Sequence, residues 1–291
     1  LEVELMPNSR LQDGWLAGPA EARADDIHAA FADPRVSVVL VGIGGNHSNQ
    51  LLPLLDYDLI RANPKVFQGY SDITVLHWAF QKHADLATFY GPAFAIELAD
   101  YPKVSDYTQR WLRAAWFRDE ALEYEPAAEW TDEFLDFDHR LDLTRGRAMK
   151  PGDGWVTVRE GACRGPIVGG CLETICWHLK GSDAWLDPTG AILFLETSEE
   201  APSPAHVEAY LTDLDHLGVF ERCVGLLWAR PDRYSPDDVG LLWDVVRSAT
   251  EPYGLPVLAN IDCGHAYPMM TLPLGVPAEM DAGNHELKVV L

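Results

Sequence analysis

The chain has 291 residues, 47% hydrophobic and 23% charged, an ordinary balance for a folded protein of one large domain or two smaller ones. A net charge of −23 argues against a nucleic-acid polymer as partner, since its phosphate backbone would be repelled, but leaves open a small nucleotide in a local pocket. No apolar run approaches the roughly 18–20 residues of a membrane-spanning helix. The five cysteines (Cys163, Cys171, Cys176, Cys223 and Cys263) form no CxxC pair. Neither a disulfide framework nor a structural zinc site is expected, and buried free thiols in a reducing cytoplasm fit better.

Residues 1–6 alternate like a strand and stop at Pro7, without the basic, apolar and small-residue pattern of a secretory signal. The absence of an initiator Met leaves room for residues upstream. Glu21 to Phe31 reads as a helix stopped by Asp33-Pro34, and Ser37 to Val41 as a strand buried on both faces. That strand runs into Gly42-Ile43-Gly44-Gly45-Asn46-His47-Ser48-Asn49, where glycines let backbone approach a ligand closely. A helix is expected from Gln50 to Ile60, broken by Pro53. Val66-Phe67 then leads through Gly69-Tyr70 into Ser71, followed by Ile73, Leu76 and Phe80 at helical spacing.

Thr88 to Tyr90 reads as a further strand, and the succession so far is that of an open α/β sheet. Residues 101–150 read as a linker and substrate-facing insertion, acidic and aromatic, with a helical piece from Arg110 to Phe117. Beyond it, strands are expected at 155–158, 191–195, 224–228 and 256–261, and helices at 172–179, 204–217 and 236–248. Gly161, Gly165, Gly169 and Gly170 punctuate the first part of this region. The proline- and glycine-rich tail ends in a hairpin-like segment at 286–290.

Three buried strands end in chemically capable side chains: Ser71, Glu196 and His265. A serine hydroxyl attacks when a base removes its proton; histidine does that near neutral pH, and a carboxylate on its other nitrogen fixes the tautomer. Each residue also has a plainer reading. Ser71 suits a helix N-cap, Glu196 a cap or surface acid beside Glu199 and Glu200, and His265 a loop residue packed on Tyr267 and Pro268.

Gly69-Tyr70-Ser71-Asp72-Ile73-Thr74, preceded by Leu51-Leu52-Pro53-Leu54-Leu55-Asp56-Tyr57-Asp58, resembles the LD-carboxypeptidase family of serine peptidases. Gly44 to Pro53 is most similar to its microcin C self-immunity branch. Ile192 to Glu196, Gly264-His265 and Leu272-Pro273-Leu274-Gly275 extend the likeness over nearly the whole chain. The resemblance implies an α/β fold with a Rossmann-like N-terminal domain (1–100) and a smaller, barrel-like mixed-β C-terminal domain (151–291), with the active site between them. A further strand–helix unit would precede Leu1.

The resemblance also implies Ser71 as nucleophile, His265 as general base and Glu196 as its orienting carboxylate. The oxyanion hole would come from the Asp72 N–H and one from Gly44 or Gly45, and the assembly would be a homodimer without metal or cofactor. The implied substrates are aminoacyl- or peptidyl-nucleotide conjugates, or else the tetrapeptide of peptidoglycan cut by the muropeptide enzymes; a non-catalytic nucleotide-toxin-binding protein is a third reading. Asn46 and Ser48 are expected at the substrate, together with insertion aromatics. Trp130 and Trp155 are preferred among Trp111, Trp116, Phe134 and Phe137, although Trp130 equally suits a core or dimer interface.

Overall fold

A computed structural model of the chain describes residues 2–117 and 121–289. Two sheets organise them. The smaller runs in the order Val38–Leu40, Val66–Gly69, Thr88–Tyr90 and Leu272–Leu274. Its first three strands are parallel, as their helical crossovers require. The fourth comes from the far end of the chain and lies antiparallel, with Leu272 opposite Tyr90. Helices Ala20–Ala32 and Thr74–Ala84 bury Phe31 and Phe80 against Phe67 of the central strand, Phe31 stacking on Phe67 and Phe80 meeting both rings edge to face. Full burial of side chains this size contributes about 1.5–3 kcal/mol each.

The larger sheet has eight strands and curls into a half-barrel. At its centre Ala162–Cys171, Ile192–Glu196, Gly225–Ala229 and Val257–Ile261 run parallel. Val156–Arg159 closes one side antiparallel, and the hairpin Pro277–Asp281 with Glu286–Val289 extends the other. Helices Pro204–His216 and Pro236–Thr250 cover it, burying Val207, Leu211, Leu242 and Val246 in a cluster with Trp228. Both start alike: Ser203 and Ser235 accept the N–H of His206 and Asp238, and proline follows in the first turn.

Several expectations change. Residues 2–6 form no strand, and Leu1 lies outside the described residues. The helix expected at 50–60 is a 3-10 turn at Ser48–Leu51 and a helix at Tyr57–Ala62, because Pro53 removes an N–H and Asp56 caps the second piece. The segment 172–179 is one α-turn followed by a π-turn at Ile175–Leu179. The last segment pairs as a hairpin through Val289, and Val290 lies outside the described residues.

The largest change is at the glycines after Gly161, which lie inside the ten-residue strand Ala162–Cys171. They let neighbouring backbone come close. A β-carbon on Gly169, at φ +151°, would stand 1.8 Å from the Phe194 carbonyl oxygen. Gly169→Ala is therefore expected to destabilise the fold by about 2 kcal/mol or more, combining backbone strain with a clash that nothing flexible can relieve. A denaturant titration with an unchanged midpoint would refute this reading of the strand.

Candidate active site

The strand Val66–Gly69 reaches Tyr70 in extended conformation, and the chain then turns sharply at Ser71, which sits left-handed at φ +63°. A non-glycine residue there costs on the order of 1–2 kcal/mol, so its surroundings must hold it. They do so from three sides. The Ser71 N–H donates to the Tyr90 hydroxyl at 3.1 Å, and the Ile73 N–H to the Tyr70 carbonyl at 3.2 Å. The buried Asp72 carboxylate accepts the N–H groups of His47 and Ser48 at 3.0 and 2.8 Å, tying the glycine loop to the elbow. That loop passes so close that a β-carbon on Gly44 would come within 2.9 Å of the Ser71 β-carbon and 3.2 Å of its Oγ.

Glu196 ends its strand with 1% exposure. Its Oε1 accepts the Tyr90 hydroxyl at 2.5 Å and its Oε2 lies 2.7 Å from Nδ1 of His265. A buried carboxylate must be paired, and these two partners pair it. Gly264, at φ +116°, lets the histidine loop lie against it; a β-carbon there would stand 2.8 Å from Glu196 Oε2. Beneath the loop, Asp262 is buried and held by Arg230, the Ala127 N–H and the Trp155 indole.

The His265 ring packs edge to face on Tyr70 at 5.0 Å. Its Nε2 lies 3.0 Å from a carboxylate oxygen of Glu199, whose side chain is 53% exposed. Burial on its own would lower the affinity of the imidazole for a proton, but Glu196 and then Glu199 carry it well above the ordinary histidine range. The same contact, with His265 as the main cause, holds Glu199 down at about 2. Tyr90 is pushed well above the usual tyrosine range by burial and then by Glu196, so its hydroxyl keeps its proton and can donate.

Ser71 and His265 line one cleft of about 240 Å³, with Gly44 and Gly45 on one side and insertion residues on the other. The insertion reaches it because Thr131 pairs backbone to backbone with Tyr267. The aromatics it presents are Phe134 and Phe137, packed edge to face at 5.2 Å. Arg147 lies over the Tyr267 ring and Arg233 over Phe134. Asp232, also on the wall, is pushed up to about 7, with burial the main cause.

The four residues expected at the substrate lie elsewhere. Asn46 is exposed, away from the cleft lining, and Ser48 is buried with its N–H spent on Asp72. Trp130 sits in a short two-stranded pairing with Lys150, its ring covered by the Lys150 ammonium at 4.5 Å and the Arg230 guanidinium at 4.6 Å. Trp155 is 3% exposed in the main core, its indole N–H donating to Asp262. Tryptophan is the usual residue for stacking, but Trp155 is enclosed by the core and Trp130 already holds two cations against its ring. Cys263, beside the histidine, is buried with its thiol pushed far up by burial and near carbonyl oxygens. It is an inert structural thiol.

Tyr90 and Glu199 were not singled out in the sequence. Tyr90 closes the strand Thr88–Tyr90 just as Ser71 follows its neighbour, and that position is the signal that points to it.

Models of the LD-carboxypeptidase N-terminal domain and C-terminal domain match residues 1–91 and 164–280. Putative carboxypeptidase YocD of Bacillus subtilis is 34% identical over 265 residues, 90% of this chain and 78% of YocD. The microcin C7 self-immunity protein MccF of Escherichia coli is 30% identical over 284 residues, 95% of this chain and 80% of MccF. A solved structure of MccF in complex with glutamyl sulfamoyl guanosine superposes with a TM-score of 0.85 at 28% identity, covering 98% of this chain and 85% of that one. With both family models matched and YocD, 34% identical, aligned over 90% of its length, the chain belongs to the LD-carboxypeptidase family and is a serine-peptidase-type hydrolase.

Proposed function

We propose that this hydrolase cleaves the acyl bond of aminoacyl- or peptidyl-nucleotide conjugates with a Ser71–His265–Glu196 triad. The observation that carries the reading is the His265 ring, held by Glu196 at Nδ1 beside a cleft that the strained Ser71 also lines. In this reading Ser71 Oγ attacks the acyl carbon as His265 Nε2 takes its proton. The imidazolium then returns that proton to the leaving group, and water repeats the sequence on the acyl-enzyme. Glu196 keeps the ring oriented and stabilises its charge. The Asp72 N–H, in the first turn of a helix where N–H groups have no intrahelical partner, and an N–H from Gly44 or Gly45 receive the oxyanion.

The nucleotide half of the substrate is supported by the ligand in the MccF complex and by the character of this cleft. Phe134 and Phe137 offer rings on which a base can stack, a contact contributing about 1–3 kcal/mol per base. A homodimer, by family resemblance, and a cytoplasmic location, by the free cysteines, belong to the same reading. The carboxypeptidase relative favours a second reading, release of a terminal D-amino acid from a muropeptide, by the same triad.

Ser71→Ala is expected to lower turnover of an aminoacyl sulfamoyl adenosine by roughly 10³-fold or more with the fold intact; retention of wild-type turnover would remove the triad. Tyr90→Phe takes away the hydroxyl shared by Ser71 and Glu196 while keeping the ring. It is expected to reduce kcat roughly ten- to a hundredfold with KM little changed, the scale of one hydrogen bond to a charged group. Phe134→Ala is expected to raise KM for the nucleotide conjugate roughly tenfold. Side-by-side assay of the conjugate and a murein tetrapeptide decides the substrate class: release of D-Ala alone would overturn the nucleotide reading.

A further inference from the structure

Both ring nitrogens of His265 face carboxylates, Nδ1 at 2.7 Å from Glu196 and Nε2 at 3.0 Å from Glu199. A neutral imidazole has one N–H and one lone pair, so it can satisfy only one of them; two carboxylates require the imidazolium. An imidazolium cannot accept the proton of Ser71. The geometry of the free enzyme is therefore that of a base held in its spent form, and Glu199 holds it. Glu196 is buried and fixed by Tyr90, whereas Glu199 is half exposed on the loop after the strand and free to swing.

Other charged groups around the ring do not share this role. Tyr70 presents its ring to His265 and gives its hydroxyl to Glu97. Asp232 faces it from the loop after Gly225–Ala229 and pairs with Arg233. Of the remaining cleft carboxylates, Asp132 pairs with Lys150 and Glu133 with Arg145. Among the described cleft residues, Glu199 is the carboxylate whose ion-pair partner is the histidine itself.

We propose that Glu199 is a specificity residue that leaves His265 to bind an ammonium group of the substrate, next to the scissile acyl carbon. The inference rests on the triad reading above. In an aminoacyl group the α-ammonium is on the carbon adjacent to the reacting carbon, within reach of a side chain that starts against Nε2. As the ammonium takes Glu199, the Nε2 proton leaves to water, so one cation replaces another beside the carboxylate and the local charge is unchanged. His265 is then neutral and can take the Ser71 proton. Substrates lacking the cation find the base protonated.

The test compares wild type with Glu199→Gln in two assays. The first is the rate of Ser71 modification by a fluorophosphonate against pH, which needs His265 as base but no particular substrate. A histidine held above its ordinary range loses base function as pH falls through that raised value. Removing the Glu199 charge is therefore expected to move the acid limb down by about one pH unit or more. The second is kcat/KM for an aminoacyl sulfamoyl adenosine with its α-amine free or N-acetylated, and for a murein tetrapeptide, whose scissile acyl residue already carries its α-nitrogen in a peptide bond. Wild type is expected to favour the free amine roughly tenfold or more, and Glu199→Gln to bring the ratio close to one. An unmoved acid limb, or a preference that survives the substitution, overturns the inference. Turnover of the murein tetrapeptide alone overturns the nucleotide reading, while the acid limb of the fluorophosphonate reaction still judges Glu199.

Discussion

The Tyr90 hydroxyl is the point on which the site depends. It accepts the Ser71 N–H and donates to Glu196, joining the strained elbow of one sheet to the end of a strand in the other. One buried oxygen thereby helps offset the cost of a left-handed serine and satisfies half of a buried carboxylate. The other half of that carboxylate holds His265. Serine strand, carboxylate strand and histidine loop thus form one hydrogen-bonded chain, and small displacements at any member reach the others.

The chain-end strand Leu272–Leu274 reinforces this arrangement. By pairing with Thr88–Tyr90 it fixes the strand that carries Tyr90 between the elbow strand and the segment that follows the histidine loop. Deeper down, Asp262 and Arg230 form a pair with 1% and 2% side-chain exposure beneath that loop. Such a pair contributes little net stability over an apolar replacement, but loss of one member leaves a charge stranded at a cost of about 3–5 kcal/mol. Its value here is positional, because Asp262 also gathers the Ala127 N–H and the Trp155 indole and so anchors the insertion to the histidine strand.

The site is rich in acid, like the chain. Glu196 and Glu199 flank His265, Asp232 lies near it, and Glu97 stands behind Tyr70. Each carboxylate has a cation, a hydroxyl or backbone N–H groups against it. A protein of net charge −23 can bring so many acids to one cleft only by assigning partners individually. The cationic side chains in its lining, Arg147 and Arg233, pair with Asp100 and Asp232 and lie over the Tyr267 and Phe134 rings.

Much of this was readable from local pattern. Buried apolar runs marked the parallel strands, and the residues ending them included Ser71, Glu196 and His265; in each sheet the carboxyl ends of the parallel strands share one edge, and the Tyr90 hydroxyl joins the two edges. The helices expected from 204 and 236 start at those residues. The ten-residue strand through Gly165 and Gly169 escaped, since glycine reads as a break until a neighbouring carbonyl is seen filling the space of the missing side chain. Tyr90 and Glu199 escaped for a different reason: their roles are contacts with residues remote in sequence or across the cleft, and no periodicity encodes them. Trp130 and Trp155 carried the stronger stacking signal, yet the fold closed one under cations and the other in the core, leaving Phe134 and Phe137 at the cleft. The amino-acid sequence by itself determined the strands and the chemistry at their ends. Which oxygen meets which nitrogen, and which aromatic faces stay free, was decided by long-range packing, because hydrogen bonds and ring contacts depend on ångström-scale placement that local propensity does not set.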